Sequence, residues 1–309
     1  MNKTKLYAPA YYRDFICIAD RCRHSCCIGW EIDVDGDTMC LYDTLTEGYG
    51  ACVRASIDTE SDLNTPHFRL REGDRCPHLD ESGLCRIITE LGEGYLCEIC
   101  REHPRFYHDT PYGKEVGLGM ACEEACRIIL ESDGYDTFEE IETLNTAADN
   151  AASRFDAIAH RASIYGVLSN RAIPYSERLL RIEDVYGVAP SALPDSAWHT
   201  VLDRLEYLDE GHRALFGRYT SALPLSAEDE RALERALAYF IFRHASPARN
   251  ERDFRAAVGF SLLCERLLAS VSDHTDGGIR EAARIVSEEL EYSEDNTAAL
   301  TQVFDKFGH

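Results

Sequence analysis

From about residue 196 onward, apolar side chains recur every three to four positions, the spacing of an amphipathic helix. One segment opens at Ser226-Ala227-Glu228-Asp229, a capping-box-like start, and places Leu233, Leu237, Phe240, Ile241 and His244 on one face before Ser246-Pro247 ends it. Further helical stretches run from about Ser196 to Tyr219, from about Arg252 to Val271 and from about Gly277 to the C-terminus. No fixed-period repeat, low-complexity tract or heptad accompanies them, so this half predicts an irregular helical bundle. The first part of the chain is different. Turn-formers crowd at Asp35-Gly36-Asp37, Glu72-Gly73-Asp74, Glu81-Ser82-Gly83, Gly92-Glu93-Gly94 and Pro111-Tyr112-Gly113. The expected fold is mainly α: a loop-rich, cysteine-cluster metal-binding module over residues 1–132, packed on an all-helical domain over 133–309, with the boundary near Ser132-Asp133-Gly134.

One apolar stripe is broken in an informative way. On the last predicted helix it runs Ile279, Ala282, Val286 and later Leu300 and Val303, yet Glu289, Ser293 and Asn296 occupy the positions between. A buried carboxylate without partners costs several kcal/mol. Glu289 is therefore expected either to pair with an arginine such as Arg243 inside the bundle or to line a functional cavity. His244 closes the Ser226 stripe at a helix C-terminus, where the dipole favours an imidazolium; it reads as a capping residue or as part of a site.

Composition narrows the partners. The 309 residues are 45% hydrophobic and 28% charged, the profile of a globular protein. With 32 Lys+Arg against 55 Asp+Glu, the net charge of −23 repels phosphate backbones and anionic lipid, so nucleic acid is not an expected partner. The same field attracts a lysine-bearing protein or a cationic small molecule. The opening Met1-Asn2-Lys3-Thr4-Lys5-Leu6-Tyr7-Ala8-Pro9 contains no apolar run of signal-peptide length, and no later window approaches the roughly 20 apolar residues of a membrane span. A cytoplasmic location is expected, with peripheral membrane association and oligomerisation left open.

Cysteine usage points to metal. Of 13 cysteines, 12 lie between Cys17 and Cys126. The odd number, in a reducing compartment, fits thiols or ligands better than disulfides. Ten fall into four groups: Cys17, Cys22, Cys26 and Cys27; Cys76 and Cys85; Cys97 and Cys100; Cys122 and Cys126. Grouped thiolates reach one centre with little additional loop-closure cost. Only Cys97-Glu98-Ile99-Cys100 is a C-x-x-C hook, whereas a zinc ribbon carries two; the adjacent Cys26-Cys27 pair and the number of thiols favour an iron–sulfur cluster, with zinc the alternative. Cys22-Arg23-His24-Ser25-Cys26-Cys27 is not the radical S-adenosylmethionine hook C-x-x-x-C-x-x-C. His24, His78 and His103 could each replace a thiolate, and Cys40, Cys52 and Cys264 stand outside the pattern.

Several stretches together resemble a known family. Tyr7-Ala8-Pro9-Ala10-Tyr11, Phe15-Ile16-Cys17, Arg21-Cys22-Arg23-His24-Ser25-Cys26-Cys27-Ile28-Gly29-Trp30, Cys76-Pro77-His78-Leu79, Gly83-Leu84-Cys85 and Cys97-Glu98-Ile99-Cys100-Arg101-Glu102-His103-Pro104-Arg105-Phe106 resemble the flagellin lysine-N-methylases, whose N-terminal part is related to the zinc- or iron-chelating Cys-cluster proteins. Leu205-Glu206-Tyr207-Leu208-Asp209, Tyr239-Phe240-Ile241-Phe242-Arg243-His244 and Glu289-Leu290-Glu291-Tyr292-Ser293-Glu294-Asp295-Asn296 extend the likeness through the helical half. At Tyr292 the chain departs from the histidine expected of the family. The resemblance implies a cytoplasmic enzyme that moves a methyl group from S-adenosylmethionine to lysine ε-amines of flagellin and depends on an oxygen-sensitive [4Fe-4S] cluster.

Such an enzyme must deprotonate a lysine of reference pKa about 10.4 and align it with the sulfonium methyl. Glu289, His244 and Arg243 are the candidate catalytic residues, with Glu289 orienting the amine or relaying its proton. Tyr239, Ser293 and Asn296 are the candidates for the methyl donor, an aromatic ring suiting a sulfonium. Gly117-Leu118-Gly119 lacks the rest of a dinucleotide fingerprint, which leaves the donor site unlocated; a place between the metal module and the bundle is the hypothesis. The alternatives are a non-enzymatic metal-chelating or electron-carrier protein and a zinc-stabilised interaction module.

Overall fold

The computed structural model describes residues 2–59, 65–146, 155–221 and 227–306. Strand β1, Asn2–Pro9, comes first, followed by 3-10 turns at Ala10–Asp14 and Ala19–Arg21. Helices α1 (Gly36–Asp43) and α2 (Gly48–Ala55), strands β2 (Ile57–Asp58) and β3 (His67–Phe68), and helices α3 (Arg86–Leu91) and α4 (Glu98–Glu102) come next. Strands β4 (Arg105–Thr110) and β5 (Gly113–Leu118), helix α5 (Glu123–Glu131) and strand β6 (Phe138–Thr146) lead into the helical half. That half consists of α6 (Ala157–Leu168), α7 (Tyr175–Tyr186), α8 (Asp195–Leu202), α9 (Glu210–Phe216), α10 (Ala227–Phe240), α11 (Glu251–Val271), α12 (Gly278–Glu291) and α13 (Glu294–Asp305). The fold is mainly α, as the apolar periodicity predicts. No described helix is long and apolar enough to cross a membrane.

The chain divides into two compact units, Met1–Phe15 with Phe106–His309, and Ile16–Arg105. This differs from the boundary expected near residue 132, and the reason is β1. It pairs parallel with β5 and antiparallel with β6 in a sheet of order β4-β5-β1-β6, which ties the first 15 residues to the helical unit. Leu6, Ala8 and Val116 form a small core there.

In the helical unit α11 is the central element. It is buried almost all round, with Phe254, Phe260, Leu263 and Leu267 wholly inside, the pattern of a helix with neighbours on every side. At Gly259 a side chain would collide with the ring of Phe304 on α13, so glycine sets the close approach of the two helices. Two expectations are corrected here. The stretch from Ser196 to Tyr219 is broken into α8 and α9, and the segment from Gly277 is two helices: Ser293 is the N-cap of α13, its hydroxyl accepting from the Asn296 amide at 3.1 Å. The cap expected at Ser226 lies outside the described residues.

The Ile16–Arg105 unit has its own core of Ile32, Val34, Tyr42, Val53, Ile57, Phe68, Leu79 and Ile87, joined by Cys76 and Cys97. Asp35 ties its parts together, capping α1 through the Thr38 amide (2.9 Å) and accepting from the Glu98 amide at the start of α4 (2.8 Å). Burial would raise this carboxyl, but these hydrogen bonds win and hold it at about 2.

Candidate functional site

Within the Ile16–Arg105 unit, one group of thiols converges. Cys76 is drawn to Cys27 by a backbone bond from its amide to the Cys27 carbonyl (2.8 Å), and Cys85 is held by a bridge to Leu79. Cys97 is the N-cap of α4 and Cys100 lies one turn into it, so the C-x-x-C hook is presented by a helix start. Cys76 and Cys97 are buried, while Cys27, Cys85 and Cys100 are half-buried. The five sulfurs are electrostatic neighbours: Cys27 acts on Cys76, Cys85 and Cys100, and Cys97 acts on Cys85 and Cys100.

Their acidities diverge. A hydrogen bond with Cys26 overcomes burial and lowers the Cys27 thiol to about 7, with Ser25 and Arg75 assisting. Burial pushes Cys76 up to about 12 and Cys85 upward as well. In the hook, the bond between the two thiols lowers Cys97 and raises Cys100. Among the described residues, only His212, Glu288 and Glu289 place three potential ligand atoms within 4.8 Å of one another; no three cysteine sulfurs come that close.

The remaining cysteine candidates are placed differently. Cys17 and Cys26 are exposed, Cys17 accepting from the Ala19 amide (3.4 Å), and the Cys22 thiol donates to the His24 carbonyl (3.2 Å). Cys122 and Cys126 belong to the helical unit. Cys126 sits in its core and donates to the Arg280 carbonyl (3.4 Å), and burial holds its thiol protonated. His78 cannot replace a thiolate as it stands, because Tyr49 occupies Nδ1 (2.8 Å) and Ser56 occupies Nε2 (2.9 Å).

The second arrangement lies in the helical unit, around a residue that the sequence reading missed. α10 passes directly into a π turn, Ile241–Ala245, which carries Arg243 and His244. Wider turns of this kind are frequent at functional sites. Both side chains converge on Glu291, the last residue of α12, whose carboxylate is fully buried. His244 Nε2 lies 2.6 Å and Arg243 Nε 3.4 Å from Glu291 Oε1; Tyr239 Oη donates to Oε2 at 2.8 Å, and Ser287 Oγ donates there too. Tyr239 Oη in turn accepts from Arg243 Nη1 (3.0 Å) and the Met120 amide (3.2 Å). Arg243 stacks on Phe106 (5.0 Å) and Tyr292 (5.1 Å). Gly117 lies beneath this cage, where a side chain would collide with Phe106 and Phe242.

Burial alone would raise the Glu291 carboxyl, but Arg243 and His244 outweigh it and hold it below its ordinary value. Burial lowers His244 in spite of the carboxylate. At neutral pH the group is thus one anion, one cation and a neutral imidazole. His108 stands nearby, its ring 5.8 Å from Phe242; its buried Nε2 has no hydrogen bond among the described residues, and burial pushes the ring down to about 3.

Tyr239, Arg243 and His244 are therefore brought together, while Glu289, Ser293 and Asn296 are engaged elsewhere. Glu289 does not pair with Arg243. It accepts from the Leu208 (2.8 Å) and Asp209 (3.1 Å) amides and meets His212 Nδ1 at 2.6 Å. Residues 289 and 291 project about 200° apart around a helix, so they serve opposite neighbours. Asn296 accepts from the Glu206 amide (3.0 Å) and donates to the Glu206 (2.7 Å) and Glu289 (2.8 Å) carbonyls. One signal could have singled out Glu291: a carboxylate at a helix C-terminus opposes the dipole and calls for a nearby cation.

These features define a mainly α protein with a thiol-rich unit inserted after its first strand and a buried carboxylate–histidine–arginine network. The chain is 26% identical over 208 residues to the proteins named lysine-N-methylase in Salmonella choleraesuis (strain SC-B67) and Salmonella typhimurium (strain LT2), an overlap covering 60% of this chain and 50% of each relative. Over 137 residues it is 32% identical to the flagellar biosynthetic protein FliU of Salmonella muenchen, covering 42% of this chain and 79% of that protein. The chain belongs to the flagellin lysine-N-methylase family. It spans about half the length of the lysine-N-methylases it matches. No family model and no solved structure matches it.

Proposed function

We propose that this protein transfers a methyl group from S-adenosylmethionine to the lysine ε-amines of flagellin or another lysine-bearing protein, and that it holds a [4Fe-4S] cluster. The likeness to proteins named lysine-N-methylase carries the reaction. Convergence of Cys27, Cys76, Cys85, Cys97 and Cys100 on one core supports the cluster. Three sulfurs around a single zinc at about 2.3 Å would lie only about 3.8 Å apart. No three of the described cysteine sulfurs lie within 4.8 Å of one another, which suits four thiolates around a multi-iron unit better than one zinc. Cys27, with a thiol near 7, is the readiest of them to ligate.

In the helical unit the assignment moves from Glu289 to Glu291. Two backbone amides and His212 already engage Glu289, so it acts as a positioning residue for the segment before α9. Glu291 and a neutral His244 form a carboxylate–imidazole pair of the type that accepts a proton from an amine, with Arg243 and Tyr239 fixing its geometry. The test is transfer itself. Anaerobically purified protein, labelled S-adenosylmethionine and flagellin should yield label in flagellin lysines. No transfer by protein loaded with iron and sulfide would overturn the reading, and zinc without sulfide would replace it by a zinc-stabilised interaction module.

A further inference from the structure

The Ile16–Arg105 unit contains a cavity of about 290 Å³ lined by Arg71, Arg75, Arg86, Leu79, Asp80 and Glu81. Three guanidinium groups around one cavity are unexpected in a chain with 55 acidic and 32 basic residues. The local backbone explains how two of them come together. Arg71 and Arg75 exchange backbone hydrogen bonds (2.7 and 3.4 Å) across the tight Glu72-Gly73-Asp74 turn, where Gly73 and Asp74 both have positive φ. Directly paired residues project to the same face, so both guanidinium groups reach the cavity.

Charge bookkeeping within the protein leaves these two arginines open. Among the described residues neither Arg71 nor Arg75 has a carboxylate within ion-pair distance, whereas Arg86 pairs with Glu90 (3.3 Å) and stacks on Tyr49 (4.3 Å). Arg71 donates one Nη2 bond to the Pro77 carbonyl, which pins the side chain without neutralising it. Asp80 spends its Oδ1 on its own turn, accepting from the Ser82 amide (2.9 Å), the Ser82 hydroxyl (2.7 Å) and the Leu84 amide (2.9 Å). The thiols adjoin: Arg75 acts on Cys27, and Arg75 and Arg86 directly flank Cys76 and Cys85 in the chain.

We propose that this cavity is an oxyanion subsite in which Arg71 and Arg75 take the carboxylate of an amino-acid-sized ligand group. Guanidinium forks bind such groups bidentately. A volume near the lower end of small-molecule sites suits the amino-acid end of a ligand. Naming the ligand rests on the proposed function: the methionine end of the methyl donor carries such a carboxylate.

Calorimetry on the anaerobically purified full chain tests this, with S-adenosylhomocysteine, methionine, methioninamide and inorganic phosphate as probes. S-adenosylhomocysteine and methionine should bind and compete, methioninamide should not, and Arg71→Gln/Arg75→Gln should weaken S-adenosylhomocysteine at least about tenfold at unchanged iron content and circular dichroism. Wild-type affinity in an iron-replete, folded double variant overturns the subsite. If that variant loses iron, Arg71→Lys/Arg75→Lys decides instead, since it keeps charge but not the fork: weaker binding supports the subsite and undiminished binding overturns it. Phosphate displacing methionine would assign the cavity to a phosphate-bearing ligand and overturn the amino-acid assignment. A wild-type protein that binds through these arginines but transfers no methyl group would remove the methylase reading and leave the subsite standing.

Discussion

His244 Nε2 lies 2.6 Å from Glu291 Oε1, joining a π turn to the end of α12 through a carboxylate that is fully buried and also faces Arg243. Such a group is stable only while every charge has its partner. Removing one member of a buried pair costs about 3–5 kcal/mol, because the other is left uncompensated. Glu291→Gln should lower stability by that order in urea unfolding, and in the methyl-transfer assay activity should fall with it. His244→Gln, which leaves the Arg243–Glu291 pair intact, should cost less. Equal costs for the two would show that Arg243 contributes nothing to holding the carboxylate.

The thiol array makes a sharper demand. If the proposed [4Fe-4S] cluster is held here, serine at four of the five positions Cys27, Cys76, Cys85, Cys97 and Cys100 should reduce bound iron in anaerobic preparations, since such a cluster takes four thiolates. Serine at the exposed Cys40 or Cys52 should leave iron unchanged. Cys126 discriminates between ligand and packing roles. As a core thiol bonded to the Arg280 carbonyl, its replacement by alanine should cost about 1 kcal/mol and no iron. Iron lost with Cys126→Ala would restore it to the ligand set.

How much of this the sequence foretold depends on the kind of signal. Apolar periodicity located the helices around Leu233–Phe240 and Phe254–Val271, because a 3.6-residue repeat is local and needs no knowledge of neighbours. It also marked Glu289 and Asn296 as buried polar residues. It could not say what met them, since Leu208, Asp209 and Glu206 approach from residues some 80–90 positions away. The same limit hid Glu291, which lies off the stripe that was followed and is buried only because α12 has neighbours on several sides. It hid the division of the chain too. β1 pairs with β5 and β6 across more than 100 residues, and no local pattern announces pairing at that range. Cysteine spacing grouped Cys27 with Cys17, Cys22 and Cys26, of which the fold brings only Cys27 to Cys76, Cys85, Cys97 and Cys100, and it gave no means to distinguish the core thiol Cys126 from its grouped counterparts.

Packing of α11 on α13 gives a test of the fold itself. Because a Cβ on Gly259 would collide with Phe304 Cδ1, Gly259→Ala forces the helices apart or displaces the ring. Overpacking of this kind costs about 1–3 kcal/mol. The thermal midpoint should fall, and adding Phe304→Leu should recover part of the loss, so that the double variant is more stable than the two single effects summed. Strict additivity would mean that the contact is not where it is described.

Glu265 supplies a pH dependence. It lies in the middle of α11, buried, with one oxygen accepting from Tyr175 Oη (2.9 Å) and the other without a hydrogen bond among the described residues; the nearest cation, Arg266, is 3.7 Å away. Burial raises its carboxyl from 4.5 to about 7, Arg266 and Tyr175 opposing and Glu183 adding to the rise. Between these two values the folded protein binds the proton and the unfolded chain releases it, so stability falls as pH rises through this window. Below pH 4.5 both forms are protonated and the carboxyl costs nothing; above pH 7 both are ionised and the loss is complete, on the order of 3 kcal/mol. Glu265→Gln removes the ionisation while keeping an acceptor for Tyr175. Its stability relative to the parent, measured by urea unfolding at pH 5, 6, 7 and 8, should increase steadily to pH 7 and then level off. A difference that stayed constant over that range would mean that Glu265 ionises in the folded protein as it does in water.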